Sequence, residues 1–277
     1  MTSYGFIGAG NMAGAIVRGA VGAGISPASI LLTSAHDSAR ALAAETGAEH
    51  LPDSVGLVSR LGADDVLVLA VKPQVLPGVV EEIAPVLTES AGRAPLVLSI
   101  AAGLGLERLA ALLPAGTRVV RAMPNMAAGV GASMTALAAG PGVDEAAMDS
   151  ARTLMGAVGR TVELADKDFS AFVGLAGSSP AFVLAFIEAL ASAGVLGGIP
   201  KAAAVEIVTQ AVLGTALTAQ AGADAAPRRS PAELIDSICS PGGTTIAGLV
   251  AMERAGFSDA VVRAFEATVA RDRELGA

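Results

Sequence analysis

The sequence predicts an α/β domain followed by an all-helical domain, and three observations support this prediction. Short β-branched and leucine-rich runs alternate with Ala- and Leu-rich stretches up to about residue 163, a pattern typical of βαβ units and a parallel sheet. From residue 164 onward only helical stretches follow. Hydrophobic residues make up 53% of the 277 residues, which is enough to bury a sizeable core. We therefore expect domains at residues 1–163 and 164–277.

The first domain is expected to contain five strands, each a nearly continuous apolar run, as found when helices cover both faces of a sheet. The strands are predicted at Tyr4–Ile7, Ile30–Thr33, Val66–Ala70, Leu96–Ile100 and Val119–Ala122. The helices between them are predicted at Met12–Ala23, Ser38–Thr46, Val75–Leu87 and Leu106–Leu112. Parallel strands joined in this way place their carboxyl ends at one edge of the sheet.

The second domain is expected to be helical and to mediate assembly. Its helices are predicted at Ala181–Ala193, Lys201–Ala221, Pro231–Ile238, Thr245–Ala255 and Ser258–Leu275. The segment Ser230-Pro231-Ala232-Glu233 is a capping box with proline at the first helical position. Residues 181–190 contain a single charged residue, Glu188, and a helix that is apolar nearly all round needs several buried sides. We expect a homodimer through this domain, or a higher oligomer.

Composition excludes several classes of partner. The net charge of −8 and the aromatic share of 3% disfavour nucleic acid. The mean hydropathy is +0.62, but the longest uncharged runs, 122–143 and 169–187, are interrupted by Pro, Gly or polar residues, so no membrane span is predicted. One cysteine, Cys239, allows no internal disulfide, and a cytoplasmic location is expected. One cysteine and two dispersed histidines also predict no metal site.

A glycine-rich turn follows the first predicted strand and precedes a helix. It reads Gly8-Ala9-Gly10-Asn11-Met12-Ala13, the G-x-G-x-x-A pattern of a Rossmann-type dinucleotide-binding domain. Gly8 permits the tight turn, Gly10 lets a pyrophosphate approach the backbone, and Ala13 keeps helix and strand close. Free N–H groups at the helix N-terminus attract the anion. The sequence therefore predicts a dinucleotide site.

The residues after the second strand favour NADPH over NADH. Sites selective for NAD usually carry an acid at the end of this strand, but here Thr33 and Ser34 stand there and the nearest acid, Asp37, lies beyond. Their hydroxyls could donate to a 2′-phosphate, and Arg40 could add positive charge. The alternative is that these are ordinary loop residues that tolerate either cofactor. We expect NADPH, with NADH less preferred.

Two further positions fall at the carboxyl edge of the predicted sheet, where ligands of open α/β sheets bind. Lys72-Pro73 follows the strand that starts at Val66, and its positive charge could face the cofactor or simply be solvated. Asn125 follows Met123-Pro124 after a later strand. Both positions are candidates for contact with a dinucleotide.

Several motifs together make the chain resemble the pyrroline-5-carboxylate reductase family. They are Phe6–Ala13, Ala70-Val71-Lys72-Pro73-Gln74, Ser99–Gly103, Met123-Pro124-Asn125, Gly177–Ala181, Ile187–Leu190 and Ser240–Ala247. The last of these, Ser-Pro-Gly-Gly-Thr-Thr-Ile-Ala, is far more specific than the glycine motif that many dehydrogenases share. Its glycines also leave N–H groups accessible at a helix N-terminus, where a small carboxylate could bind.

The resemblance implies reduction of the C=N bond of 1-pyrroline-5-carboxylate to L-proline by hydride from NAD(P)H. It implies that the loop Ser240, Pro241, Gly242, Gly243, Thr244 and Thr245 binds the substrate, with the Thr245 hydroxyl at the ring nitrogen. It assigns Ser237, where the family has Asn or Gln, and Glu163 to the substrate site as well. Cofactor contacts are implied at Ala70, Val71, Lys72, Pro73, Ala101 and Asn125. The chain departs from the family pattern at Met126-Ala127, Ser179, Phe182 and Asp53-Ser54.

Other functions predict different residues. A β-hydroxyacid dehydrogenase would carry a lysine followed four residues later by an asparagine in the second domain, but Asn11 and Asn125 are the only asparagines and both lie in the first. A reductase of another cyclic imine remains an alternative. So does a non-catalytic paralogue that binds NADP, although that reading predicts damage in residues 240–245 and none is seen.

Overall fold

The computed structural model describes residues 2–90 and 92–276. It divides into two compact units, one formed by Met1–Gly177 together with Val269–Ala277 and the other by Ser178–Thr268. The predicted domain boundary near residue 163 stays a prediction; the last strand ends there, at Glu163.

The first unit contains a sheet of eight strands with helices between them. The strands are β1 (Tyr4–Ile7), β2 (Ile30–Thr33), β3 (Glu49–His50), β4 (Val66–Leu69), β5 (Leu96–Ser99), β6 (Val119–Met123), β7 (Ser133–Ala139) and β8 (Gly159–Glu163). The helices are α1 (Asn11–Gly22), α2 (Ser38–Thr46), α3 (Ser54–Val58), α4 (Leu76–Glu89), α5 (Leu106–Leu112), α6 (Glu145–Gly156) and α7 (Phe169–Phe172). The strand order is β3-β2-β1-β4-β5-β6-β7-β8, with β1 between β2 and β4.

The predicted fold class is confirmed, and the sheet departs from a purely parallel one at a single pairing. All five predicted strands are present, and β7 lies antiparallel to β6. The strands β3, β7 and β8 and the helices α3, α6 and α7 were not predicted. Most of these segments are short or rich in alanine and serine, so their periodicity is weak.

The core of this unit lies on both faces of the sheet. In β4, Val66 and Val68 face one cluster, which includes Ile16 of α1, while Leu67 and Leu69 face the other, which includes Ile83 of α4. This alternation explains why the strand reads as an uninterrupted apolar run: both of its faces are buried.

The second unit is built from helices α8 (Ser179–Leu196), α9 (Lys201–Asp224), α10 (Pro231–Ile238), α11 (Thr244–Arg254) and the first part of α12 (Phe257–Gly276). The predicted capping box of α10 is confirmed, since the Ser230 N–H donates to Glu233 at 2.6 Å and the Glu233 N–H donates back to Ser230 Oγ at 3.3 Å. A small cluster around Ala191, Ala204 and Val208 joins α8 to α9. Most other apolar side chains of these two helices are exposed or half-buried in the single chain.

Two helical stretches are long and apolar enough to cross a membrane, judged by length and composition alone. Asp166–Leu196 has a mean hydropathy of 1.8 and Lys201–Asp224 one of 1.4. Only 6% and 11% of these windows are buried within the chain. Their apolar surface therefore needs a cover that the single chain does not provide.

Candidate dinucleotide and substrate sites

The glycine turn between β1 and α1 is as tight as its sequence requires. Gly8 has a φ of +104°, and a Cβ there would lie 2.6 Å from the carbonyl oxygen of Ala70. Gly10 has an extended backbone (φ −74°, ψ −173°), and a Cβ built on it meets no atom within 4 Å. Gly8 is thus required for the packing of β1 against the end of β4, whereas Gly10 borders open space.

Helix α1 presents its N-terminus at this turn. Gly10 is the N-cap and has no side chain to satisfy the first N–H groups, and the first helical bond runs from Gly14 N–H to the Gly10 carbonyl at 2.8 Å. The N–H groups of Asn11, Met12 and Ala13 therefore have no helical acceptor and can bind an anion. Ala13 is buried in the core, so its methyl group sets the distance between α1 and the sheet.

A cleft of about 430 Å³ lies beyond the carboxyl end of β2. Its lining side chains come from the segment after β2, from the start of α2 and from the end of β3: Ser34, Ala35, His36, Asp37, Arg40, His50 and Pro52. The Gly8 N–H donates to the Thr33 carbonyl at 2.8 Å, so this cleft begins where the glycine turn meets β2. This is the position at which a Rossmann-type domain recognises the adenosine ribose.

The two hydroxyl residues predicted to face a 2′-phosphate differ in their surroundings. Thr33 is only 2% exposed and does not line the cleft, whereas Ser34 does. Ser34 Oγ donates to the His36 carbonyl at 2.5 Å and accepts from the Ala39 N–H at 3.0 Å. Ser34 therefore holds the turn that leads into α2, in addition to bordering the cleft.

The residues after β4 and β5 lie at the same sheet edge. The Ala70 N–H donates to the Ile7 carbonyl at 2.9 Å, which ties the end of β4 to β1. Val71 and Pro73 are half-buried, while the Lys72 side chain is exposed and its carbonyl accepts from Val75 at the start of α4.

Past the end of β5, Ala101 is buried and its N–H donates to Ser99 Oγ at 3.3 Å.

No ionic partner of Lys72 is found among the described residues, so its charge is available to a ligand.

Asn125 uses its side chain to hold the protein's own backbone. Its Nδ2 donates to the Ala176 carbonyl at 2.9 Å and its Oδ1 accepts from the Ala127 N–H at 3.2 Å. The amide thereby connects the end of β6 to the segment that follows α7. A contact with the cofactor would have to coexist with these two bonds.

Glu163 lies in a surface cluster of charges on the edge strand β8, five strand positions from β1. It pairs with Arg152 of α6 at 2.6 Å, and the same guanidinium bonds Glu145 at 2.6 Å and Asp149 at 2.5 Å. These carboxylates raise the pKa of Arg152 above its ordinary value. Glu163 thus has a local partner in the folded chain.

The predicted substrate loop joins α10 to α11. Gly242 has a φ of +68°, and Gly243 is the N-cap of α11. A Cβ at Gly243 would lie 2.3 Å from Ser240 Oγ, so the loop folds back on itself closely. Among the described residues, no side chain caps α11, and the exposed Thr244 and Thr245 stand at its first two positions.

The side chain of Ser237 forms a hydrogen bond within its own helix, α10. Its hydroxyl donates to the Leu234 carbonyl at 2.7 Å. A substrate contact by this residue would require that bond to be exchanged.

Two features of the first unit were not predicted from the sequence. Both histidines line the cleft after β2, although nothing in the local sequence joins His36 to His50. The other feature is Arg121, which is 7% exposed on β6, pairs with Asp166 at 2.7 Å and lies 4.1 Å from the centre of the Phe169 ring. A charged residue within the apolar strand Val-Val-Arg-Ala-Met was the signal for that pair.

Two family models match the chain. Residues 166–275 match the one described as pyrroline-5-carboxylate reductase dimerisation. Residues 3–103 match the one described as NADP oxidoreductase, coenzyme F420-dependent.

Similar proteins match along nearly the whole chain. The chain is 38% identical to the pyrroline-5-carboxylate reductase of Glycine max over 276 residues, covering 99% of this chain and 96% of that one. It is 42% identical to that of Synechocystis over 212 residues, covering 76% and 75%.

Two solved structures have the same architecture. A pyrroline-5-carboxylate reductase from Coxiella burnetii has a TM-score of 0.91 at 32% identity, covering 100% of this chain and 99% of that one. The Plasmodium falciparum pyrroline carboxylate reductase with NADP bound has a TM-score of 0.83 at 25% identity, covering 100% and 98%.

Proposed function

Because the chain belongs to the pyrroline-5-carboxylate reductase family, we infer that it reduces the C=N bond of 1-pyrroline-5-carboxylate to L-proline with a nicotinamide dinucleotide. The observation that carries this inference is identity of 38% along 99% of the chain, which includes both the glycine turn and the loop at 240–245. We further propose that residues 1–163 bind the dinucleotide and residues 164–277 bind the substrate and a second subunit.

We propose that NADPH is the preferred cofactor and that NADH is used less well. The glycine turn and the free N–H groups of Asn11, Met12 and Ala13 suit the pyrophosphate. Ser34 and Arg40 border the cleft where the 2′-phosphate would lie, and no acid stands at the end of β2 itself. Lys72 supplies a further positive charge at the same edge.

We propose that the loop Ser240–Thr245 holds the carboxylate of the cyclic imine. The uncapped N-terminus of α11 offers N–H groups, and the helix dipole favours a negative charge there. Gly243 lets the loop fold back on Ser240, because a Cβ there would lie 2.3 Å from Ser240 Oγ and 3.0 Å from the Ser240 carbonyl oxygen. The hydroxyls of Ser240 and Thr244 are exposed on the same loop and can add hydrogen bonds.

Thr245 is the residue proposed to act at the reacting nitrogen. A bound reduced nicotinamide supplies a hydride to the imine carbon, and this carbon is more electrophilic when its nitrogen is protonated or hydrogen-bonded. The Thr245 hydroxyl is exposed one residue after α11 begins, so it can donate to that nitrogen while the preceding N–H groups bind the carboxylate. Orientation and stabilisation of the changing charge at nitrogen then account for the chain's own contribution to the rate.

The test is the oxidation of NADPH with pyrroline-5-carboxylate by the wild type and by Thr245→Val. We expect kcat to fall roughly 10²–10³-fold, as for loss of one transition-state hydrogen bond. The matched control is Thr88→Val, because the Thr88 hydroxyl bonds the Ala84 carbonyl on the surface of α4. Wild-type turnover in Thr245→Val would contradict the role assigned to this hydroxyl.

Two alternatives are separated by the same assay. A reductase of another cyclic imine would turn over rings without the carboxylate as fast as rings that carry it. A non-catalytic paralogue would bind NADPH tightly and show no turnover of pyrroline-5-carboxylate. The intact loop at 240–245 favours the carboxylate-bearing substrate over both.

We propose that a second copy of this chain covers the apolar helices. The match to a dimerisation domain spans residues 166–275, which include both stretches of high mean hydropathy. The Gly177-Ser178-Ser179-Pro180 segment interrupts the first stretch with polar groups, which favours a protein partner over lipid. We propose the cytoplasm as its location.

A further inference from the structure

Both histidines of the chain lie at one edge of the sheet. His36 lies in the segment after β2, and His50 is the last residue of β3. Because β3 pairs with β2 in parallel, with His50 opposite Leu32, both histidines reach the carboxyl ends of their strands. They line the same cleft of about 430 Å³ as Ser34 and Arg40. None of the roles proposed above uses either histidine.

The permanent charges that line this cleft cancel. Arg40 contributes one positive charge, and Asp37 contributes one negative charge. A 2′-phosphate carries between one and a half and two negative charges at neutral pH, so the lining without charged histidines would offer no net attraction.

The carboxylates on the elements packed around the cleft already bond an arginine or a backbone N–H group. Glu45 of α2 bonds Arg18 of α1 at 2.7 Å, and Glu49 of β3 bonds Arg60 at 3.0 Å. Asp53 accepts the N–H of Gly56 at the start of α3 at 2.6 Å. The histidines are therefore the lining groups whose protonation can make the net charge of the cleft positive.

We propose that protonation of His36 and His50 supplies the positive charge that holds the 2′-phosphate of NADPH, so that the preference for NADPH over NADH weakens as the pH rises. This inference rests on the proposed NADPH preference and attributes that preference to two residues in their protonated form. Histidine is the side chain whose charge ordinarily changes between pH 5 and 8, and a charged imidazole can donate from both nitrogens to phosphate oxygens.

The direction of the pH effect separates histidine from every other contact in the cleft. A charged imidazole attracts a phosphate and a neutral one does not, so a contact made through histidine weakens as the pH rises. The phosphate itself behaves in the opposite way, because its second ionisation near pH ~6 makes it more negative as the pH rises. Binding through Arg40 and backbone N–H groups alone would thus strengthen with pH.

The experiment measures the dissociation constants of NADPH and NADH between pH 6.5 and 8.5, at about 0.1 M salt. The chain contains no tryptophan, so fluorescence of the bound reduced nicotinamide can be read without excitation through that residue. The ratio of the two constants isolates the 2′-phosphate, since the ligands differ nowhere else and any shared loss of affinity cancels. The variants are His36→Gln, His50→Gln, the double variant and, as the matched control for a permanent charge, Arg40→Gln.

For the wild type we expect the NADPH preference to fall about tenfold or more across this range, the effect of losing a charge-assisted hydrogen bond. In the double histidine variant the preference should be lower at pH 6.5 and should no longer fall. In Arg40→Gln it should be lower throughout but keep its slope. A double variant that keeps the wild-type slope, or a wild type without one, would overturn the inference while leaving NADPH preference intact. Equal binding of NADPH and NADH at every pH would overturn the NADPH preference itself.

Discussion

Replacement of the two glycines in the phosphate turn by alanine should separate folding from cofactor binding. At Gly8 the new methyl group would lie 2.6 Å from the oxygen and 2.7 Å from the carbon of the Ala70 carbonyl, at a φ of +104°. The backbone conformation costs about 1–3 kcal/mol for alanine, and the collision about 1–3 kcal/mol more, because the atoms it meets are backbone atoms directly after β4, which cannot move aside as a flexible side chain can. Gly8→Ala should thus lose about 2–6 kcal/mol of stability.

The same change at Gly10 should leave the fold nearly unchanged. Its φ of −74° suits alanine and its Cβ meets no atom within 4 Å. The weaker N-cap and the smaller entropy of the unfolded chain act in opposite directions, so we expect a net change within about 1 kcal/mol. The methyl group would, however, stand where the pyrophosphate approaches, and NADPH affinity should fall about 10- to 100-fold.

Thermal unfolding and NADPH fluorescence titration read the two effects separately. At roughly 2–4 °C per kcal/mol, the lower end of the Gly8→Ala estimate lowers Tm by roughly 4–8 °C. The reasoning is wrong if Gly8→Ala melts with the wild type, or if Gly10→Ala binds NADPH with wild-type affinity.

Three further predictions concern specificity, stability and assembly. Ser34→Asp should shift the preference towards NADH, since a carboxylate repels the 2′-phosphate but can still accept the Ala39 N–H; an unchanged ratio of kcat/KM values for the two cofactors would place discrimination elsewhere. Asp166→Asn should cost about 1–3 kcal/mol in chemical denaturation, because it leaves the buried Arg121 guanidinium without its counter-charge; an unchanged midpoint would contradict this. Leu213→Glu together with Leu217→Glu places two charges on the exposed part of α9 and should reduce the mass in solution to that of one chain. The control variant Val55→Glu, on the other unit, should leave the mass unchanged. Light scattering of all variants measures the mass.

Helices and strands with a clear local sequence pattern were predicted with the correct bounds. The bounds of β1, β2, α2, α5 and α10 agree with the prediction, because apolar runs, turn glycines or a capping box mark their ends. The strand β7 was missed because its Ser-Met-Thr-Ala-Leu-Ala-Ala sequence is poor in β-branched residues. Its antiparallel direction depends on pairing with β6, which no local pattern encodes.

The candidate sites divide in the same way. The glycine turn and the loop at 240–245 could be found from sequence because a backbone conformation demands particular residues there. That His36 and His50 line one cleft could not be found from the sequence, since it follows from the pairing of β3 with β2. A two-residue strand such as Glu49–His50 carries no periodicity. The hydrogen bonds of Asn125 and Glu163 could not be predicted from the sequence either, because they depend on where the segment after α7 and helix α6 pack.

The two edges of the sheet explain why copies of this chain would not join strand to strand. At one edge, β3 offers only two residues, too few for another strand to extend the ladder. At the other, β8 carries Arg160 and Glu163, and Arg152 fastens Glu163 to α6. Charged groups on an outermost strand oppose the strand-to-strand stacking that leads to amyloid. The exposed apolar helices, and not the sheet edges, are thus the surfaces on which we propose that a second copy binds.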